Sequence, residues 1–242
     1  MNAPLAALVP DLSRAQAALF VCTLGIGLPA DIRTDIVGQT LVGLACWAVM
    51  LGVIGRYPRD VRWIMLACLS LATAGELFLS LVWGLYTYRL ENIPLFVPPG
   101  HVMMLLLGLA LARRMPPGVA AAILAAAGLY TAGAALAGLD TLGVALFLVV
   151  LLAWLALPQQ RRLFAGTLVL ALALELYGTW IGNWFWAREV PGMALVTTNP
   201  PGASGAFYAA LDALVACALA AVAPRRARRM AETQWTRQSS RS

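Results

Sequence analysis

Apolar runs near 20 residues long recur along the whole chain, and this recurrence limits the possible folds more than any other feature. A helix of that length crosses the hydrocarbon core of a bilayer. Charged residues make up 12% of the chain, against about 25% in a typical soluble domain. The sequence therefore predicts an all-α, polytopic membrane helix bundle. We expect about eight spans, at residues 15–30, 36–55, 63–85, 95–112, 118–138, 141–157, 163–183 and 204–223.

The basic residues are all arginines, and their distribution predicts an orientation. Cytoplasmic loops of membrane proteins are enriched in Lys and Arg. If the N-terminus is cytoplasmic, eight spans put 14 of the 17 arginines in cytoplasmic segments, and only Arg33, Arg89 and Arg188 on the other side. We therefore expect a multi-pass protein of a bacterial-type inner membrane with both termini cytoplasmic. On this interpretation the net charge of +6 reflects topology and membrane lipids, and no nucleic-acid partner is expected.

Two segments, 76–100 and 175–202, carry the same parts in the same order: Glu, Gly, two aromatic residues separated by one position, and Pro-Pro-Gly. An arginine precedes each glutamate by 13 or 14 residues, which places both carboxylates roughly 20 Å from the cytoplasmic entry of their helices. Internal repeats of the same orientation are related by an axis along the membrane normal. We predict a single integral membrane domain of two parallel four-helix repeats, 1–112 and 113–224, followed by a basic cytoplasmic tail, 225–242.

Ionisable side chains inside the predicted spans are the candidate catalytic groups, because a carboxylate at membrane depth is costly and usually functional. Glu76 and Glu175 come first, since each repeat has one; hydrogen bonding between helices is the structural alternative. Asp212, in the last span, is expected to approach Glu175. His101 follows the first Pro-Pro-Gly turn, and we expect it to transfer a proton or to make a hydrogen bond.

The sequence gives little reason to expect a metal or a cofactor. A single histidine among scattered acids lacks the close ligand spacing of a zinc site. The four cysteines lie singly in apolar runs, where a free thiol behaves as a small hydrophobe. We predict no metal site and no cofactor.

The aromatic pairs Tyr86/Tyr88 and Trp184/Trp186 are candidates for substrate binding. They would form a wall for an apolar ligand, or for a carbocation through cation–π attraction. An ordinary aromatic belt at the bilayer interface is the alternative. Their spacing of two residues does not define one helical face, so we expect the chain to leave the helix there.

Polar residues near both caps complete the candidate binding site. We expect residues 197–200 to turn back toward the glutamates, because non-helical backbone at membrane depth is tolerated where it is buried or lines a cavity. Arg89 and Arg188 each follow an aromatic pair. They would meet a polar head group, a cap carboxylate such as Glu91 or Glu189, or the bilayer interface. The polar candidates for substrate binding are Asn183, Asn199, Arg89 and Arg188.

The order of the cap residues resembles that of membrane-embedded carotenoid biosynthesis proteins of the bisanhydrobacterioruberin-hydratase type. The second copy departs from the pattern, with Trp in place of Tyr and a Thr-Thr-Asn-Pro-Pro-Gly turn. The resemblance implies addition of water to an isoprenoid double bond, or a related isomerisation or cyclisation. The residues that carry it are Glu76, Gly84, Tyr86, Tyr88, Ile93-Pro94 and Val97-Pro98 in the first copy, and Glu175, Gly178, Gly182 and Trp184 in the second.

Three functions are compatible with these residues. An intramembrane acid–base enzyme would bind a lipid-soluble isoprenoid in an apolar tunnel that ends at the acids. A small proton-coupled transporter would use the same acids and broken helices in a polar pathway. A scaffold protein would use the acids only to join helices. The enzyme is favoured, because the acids lie toward one side of the membrane beneath a cap and no matching polar residues occur in the cytoplasmic half.

Overall fold

The computed structural model describes residues 4–221. The predicted basic tail, 225–242, and the last residues of the second predicted repeat lie outside the described residues. The described chain is mostly helical. Its α-helices are α1 (Leu5–Leu8), α2 (Arg14–Asp31), α3 (Ile36–Ile54), α4 (Arg59–Glu76), α5 (Val97–Arg114), α6 (Pro117–Leu136), α7 (Leu142–Ala156), α8 (Arg161–Ile181) and α9 (Ala206–Ala221).

Two short irregular helices extend this framework. A π-helix, Leu77–Val82, continues α4 directly after Glu76, and a 3₁₀ turn, Pro158–Gln160, leads into α8. Single π-helical turns within α-helices are rare and are frequent at functional sites. The π-helix was not predicted from the sequence.

Helices α2 to α9 overlap the eight predicted apolar stretches, and most ends differ by one or two residues. The exception is the stretch predicted at 63–85, where α4 begins at Arg59 and ends at Glu76 and the π-helix continues to Val82. The helices long and apolar enough to cross a membrane are Ile36–Ile54, Val61–Val82, Pro117–Leu136 and Pro158–Ile181. The segments Leu142–Ala156 and Ala206–Ala221 are apolar but shorter. Large apolar side chains also cover the outside of the bundle; Leu136 is 91% exposed and Trp180 is 81% exposed. Such an apolar exterior is typical of a protein surrounded by lipid.

Polar residues fix the ends of several helices. Ser13 caps α2 and forms a capping box with Gln16, whereas the Asp35 carboxylate accepts the first free N–H groups of α3. At the same end of the bundle as Asp35, α8 stops at Gly182, whose φ of 90° lies in the left-handed region that glycine tolerates. The chain therefore leaves α8 sharply, seven residues after Glu175.

The centre of the bundle is formed by α5 and α8, which pack against each other; α5 also packs against α3 and α4. Most side chains of α5 are buried, including Val102, Met103 and Leu109, which are 0% exposed. Glu76 ends α4 and Glu175 lies six residues before the end of α8, so the packing of both helices against α5 brings the two carboxylates to the same end of the core.

Two short strands join the caps. β1 (Tyr86–Tyr88) and β2 (Trp184–Trp186) pair antiparallel, with Tyr86 opposite Trp186 and Tyr88 opposite Trp184. In each strand the two outer residues are buried and the middle one is exposed, as the alternation of a strand requires. The expectation that the chain leaves the helix at these aromatic pairs is confirmed. The direct pairing of the two caps was not foreseen.

Candidate functional site

A cavity of about 260 Å³ lies beneath the two paired strands. Most of its wall is aliphatic or aromatic. Its lining includes seven of the predicted site residues: Glu76, Glu175, Tyr86, Tyr88, Trp184, Trp186 and His101. The structure therefore brings both glutamates and both aromatic pairs to one cavity.

Glu76 is 7% exposed and accepts hydrogen bonds from both tyrosines of β1. The hydroxyls of Tyr86 and Tyr88 each lie 2.8 Å from the same oxygen, Oε2. Burial and the nearby Glu76 carboxylate raise the pKa of both phenols well above its usual value. Both hydroxyls therefore stay protonated and donate to Glu76.

Glu175 is held in the same way by β2. The indole Nε1–H groups of Trp184 and Trp186 donate to its Oε2 at 2.7 and 3.0 Å. An indole N–H can only donate, so each Trp orients the Glu175 carboxyl group but cannot accept a proton from it. The other oxygen of Glu175, Oε1, makes no hydrogen bond within residues 4–221, which leaves it available to a ligand in the cavity.

His101 lies against Glu76. Its Nδ1 is 3.0 Å from the Val97 carbonyl oxygen, which can only accept, so Nδ1 carries a proton. This leaves Nε2 3.4 Å from Oε1 of Glu76. Two lone pairs would repel each other at that distance, so one proton belongs between these two atoms. His101 and Glu76 therefore form an acid–base pair at the cavity wall.

Among the cavity residues ahead of and within α9, three carry aromatic or hydroxyl side chains that were not predicted from the sequence. Tyr208 stacks on His101, with ring centroids 4.9 Å apart, and Phe207 stacks on Trp186. Ser204 is 1% exposed, and its hydroxyl has no hydrogen-bond partner among the described residues. A buried hydroxyl normally has a partner, so Ser204 offers a polar contact to water or a ligand. Ser204 could have been found from the repeat: it follows the second Pro-Pro-Gly turn, as His101 follows the first.

Asp212 does not line the cavity, and the expected approach to Glu175 is not found. It is 2% exposed, and its neighbours include Cys68 of α4 and Thr167 of α8. Both neighbours lie eight residues before the glutamates of their helices, a separation of roughly 12 Å along a helix. Asp212 thus belongs to a different layer of the bundle from the two glutamates.

Arg89 and Asn183 also lie outside the cavity wall and meet at Asp31, the last residue of α2. Asn183 donates to the Asp31 carboxylate at 2.8 Å, and Arg89 donates to its backbone oxygen at 2.7 Å. Gln39 donates to the second carboxylate oxygen at 2.9 Å. Asp31 therefore joins residues of both predicted repeats. The proposed contact of Arg89 with Glu91 is not present; Arg89 pairs with Asp31 instead.

Arg188 and Asn199 hold the second cap in place rather than lining the cavity. Arg188 donates to the backbone oxygens of Leu139 and Thr197, and it makes no ion pair with Glu189 within the described chain. The Asn199 side chain accepts from the backbone N–H of Trp186 at 3.0 Å. The segment before α9 thus supports the strand that positions Glu175.

The described residues contain no group of three or more His, Cys, Asp or Glu side chains placed to hold a metal ion. Comparison with protein families, with curated proteins and with solved structures finds no match for this chain.

Proposed function

We propose that this protein is an intramembrane acid–base enzyme that hydrates, isomerises or cyclises a lipid-soluble isoprenoid. The observation that carries the proposal is the meeting of two buried carboxyl groups in one cavity walled by aromatic and aliphatic side chains. An apolar pocket with a few converging polar groups is the usual form of a small-molecule site. The resemblance of the cap motifs to carotenoid hydratases supports the choice of an isoprenoid.

The two carboxyl groups have surroundings that suit different roles. Glu175, with Oε1 free, is placed to protonate a carbon–carbon double bond. The faces of Trp184 and Trp186 would stabilise the resulting cation. Glu76, paired with His101, is placed to take a proton from a water molecule as that water adds to the cation, or from the cation itself. Transfer of a proton from Glu76 back to Glu175 then restores the starting state.

We further propose that all eight helices α2–α9 span an inner membrane, with both termini cytoplasmic, as two parallel repeats. The strand register supports a twofold relation about the Thr87–Phe185 pair, because such a rotation exchanges Tyr86 with Trp184 and Tyr88 with Trp186. The hydrogen bonds support it too, since each glutamate accepts from the aromatic pair of its own repeat. The arginine distribution sets the orientation.

The experiment is to purify wild-type protein and the Glu175→Gln variant in mild detergent, and to identify the co-extracted lipids by mass spectrometry. Glutamine keeps an oxygen for the two indoles but cannot protonate an alkene. We expect an isoprenoid in the wild type, and accumulation of an unconverted form in the variant. The absence of any isoprenoid, together with proton-linked uptake into proteoliposomes that the variant loses, would instead identify a transporter. Lowered thermal stability without either effect would identify Glu175 as structural.

A further inference from the structure

Two apolar side chains of the cavity wall reach the outer surface of the bundle, and we take the opening between them as the mouth of the cavity. Phe78, in the π-helix, is 54% exposed, and Leu214, in α9, is 55% exposed, yet both line the cavity. Every other lining residue is buried or only partly exposed. Around Phe78, the neighbouring residues Leu77, Leu81 and Val82 are also exposed. This mouth therefore faces lipid and not an aqueous loop.

The size of the cavity limits what it can enclose. An engineered protein cavity of roughly 150 Å³ holds one benzene molecule. By the same ratio, a cavity of about 260 Å³ holds roughly ten carbon atoms. A long isoprenoid chain therefore cannot enter completely.

We infer that the mouth between Phe78 and Leu214 is a binding subsite for the apolar chain of the substrate, whose reacting end alone occupies the cavity. The inference rests on the proposed function, in that the ligand is a long isoprenoid. The chain would pass from the glutamates across the rings and methyl groups of the mouth into the bilayer. The substrate then never leaves an apolar environment.

Phe78 lies on the helical face that lines the cavity. The lining residues of α4 and the π-helix recur every three or four positions, as residues on one face of a helix do: Leu71, Ala72, Gly75, Glu76, Phe78 and Leu79. The π-helix follows Glu76 immediately, so the segment that carries the carboxylate also supplies the rim. Its residues Leu77 and Leu81 are exposed and do not line the cavity.

Photolabelling of the unmodified protein tests where the chain lies. Two geranylgeraniol probes are used, each with a diazirine at one of the opposite ends of the molecule. We expect one probe to label residues inside the cavity and the other to label Phe78 or Leu214. Labelling inside the cavity by one probe, with the other probe on a different face of the bundle, would overturn the subsite while leaving the proposed function intact. No specific labelling by either probe would overturn both.

A narrowed mouth provides the second test. In Leu214→Trp the larger side chain should narrow the mouth and weaken binding of geranylgeraniol by about tenfold, which corresponds to about 1.4 kcal/mol. Geraniol, which fits inside the cavity, should bind as to the wild type, and this also shows that the variant is folded. The control Leu81→Trp makes the same change of residue type at an exposed position of the π-helix that does not line the cavity. Equal losses for both ligands, or equal effects of the two variants, would contradict the subsite.

Discussion

Tyr86 and Trp186 lie opposite each other in the two-stranded sheet, and each donates a hydrogen bond to the glutamate of its own half of the chain. The tyrosine hydroxyl is 2.8 Å from Glu76 and the indole nitrogen is 3.0 Å from Glu175. Their rings are 4.9 Å apart. One strand pair therefore orients both carboxyl groups, so a disturbance on either strand should reach both acids.

Removal of the Tyr86 hydroxyl should weaken this arrangement. Hydrogen bonds to charged groups contribute about 1.5–3 kcal/mol, so Tyr86→Phe should lower the free energy of unfolding by about 2 kcal/mol. Denaturant unfolding in detergent, followed by tryptophan fluorescence, measures the change. The matched control is Tyr130→Phe, because Tyr130 is 56% exposed and its hydroxyl makes no hydrogen bond within the described chain. Equal stability of the two variants would mean that the Tyr86–Glu76 bond contributes little.

Gly178 should tolerate no side chain. A Cβ atom there would overlap the outer edge of the Trp184 ring, which donates to Glu175. Gly178→Ala should therefore displace Trp184, and we expect a loss of about 1–3 kcal/mol of stability from overpacking. The control Gly52→Ala changes a helical glycine with open space around it, and should stabilise the protein by about 0.5–1 kcal/mol. Thermal unfolding compares the two variants, and a stabilised Gly178→Ala protein would contradict the packing described here.

The positions of the helices could be predicted from the sequence, because an apolar run and its flanking arginines are local signals. Both glutamates and their aromatic pairs were also identified, since they recur in the same order. The strand pairing and the Asp31 contacts could not be predicted in this way. They join residues that are far apart in the chain, such as Tyr88 with Trp184 and Asp31 with Asn183, and no local periodicity records such a contact. The expected approach of Asp212 to Glu175 was wrong, because the sequence does not record the depth at which α9 packs against α4 and α8, and Asp212 lies in the layer of Cys68 and Thr167.

Asp31 should be among the most sensitive polar positions. Its carboxylate is 1% exposed and receives hydrogen bonds from Asn183 and Gln39, with Arg89 close by. Asp31→Ala leaves these donors without their acceptor, and breaking a buried charge network costs about 3–5 kcal/mol.

The control for Asp31 is Asp11→Ala. The Asp11 side chain is 40% exposed and pairs with Arg113 and Arg114. Pairs of that kind contribute about 0–1 kcal/mol. Urea unfolding of both variants in detergent measures the change in the free energy of unfolding. Comparable losses of stability in the two variants would mean that Asp31 is not a central connection between the two halves.

The hydroxyl of Ser204 should matter for the ligand more than for the fold. An unpaired buried polar group costs about 1–3 kcal/mol, so Ser204→Ala should leave the ligand-free protein as stable as the wild type or more stable. Binding of a hydroxylated isoprenoid such as geraniol should weaken, while binding of a hydrocarbon of similar size should not change. Titration by tryptophan fluorescence measures both affinities. A large loss of stability in the ligand-free variant would show that the hydroxyl has a structural partner.

The proposed orientation predicts opposite accessibility for two loops. In a variant without the native cysteines, Met193→Cys lies in the loop between β2 and α9, and Arg56→Cys lies in the loop between α3 and α4. Both native side chains are exposed, so a cysteine at either place should react once reagent reaches it. With eight spans and a cytoplasmic N-terminus, a membrane-impermeant maleimide should label Met193→Cys in intact cells, but Arg56→Cys only after the membrane is permeabilised. The reverse pattern would invert the orientation, and labelling of both positions in intact cells would require a different number of spans. Only the expected pattern puts the two glutamates nearer the outer surface, beneath the cap formed by β1 and β2.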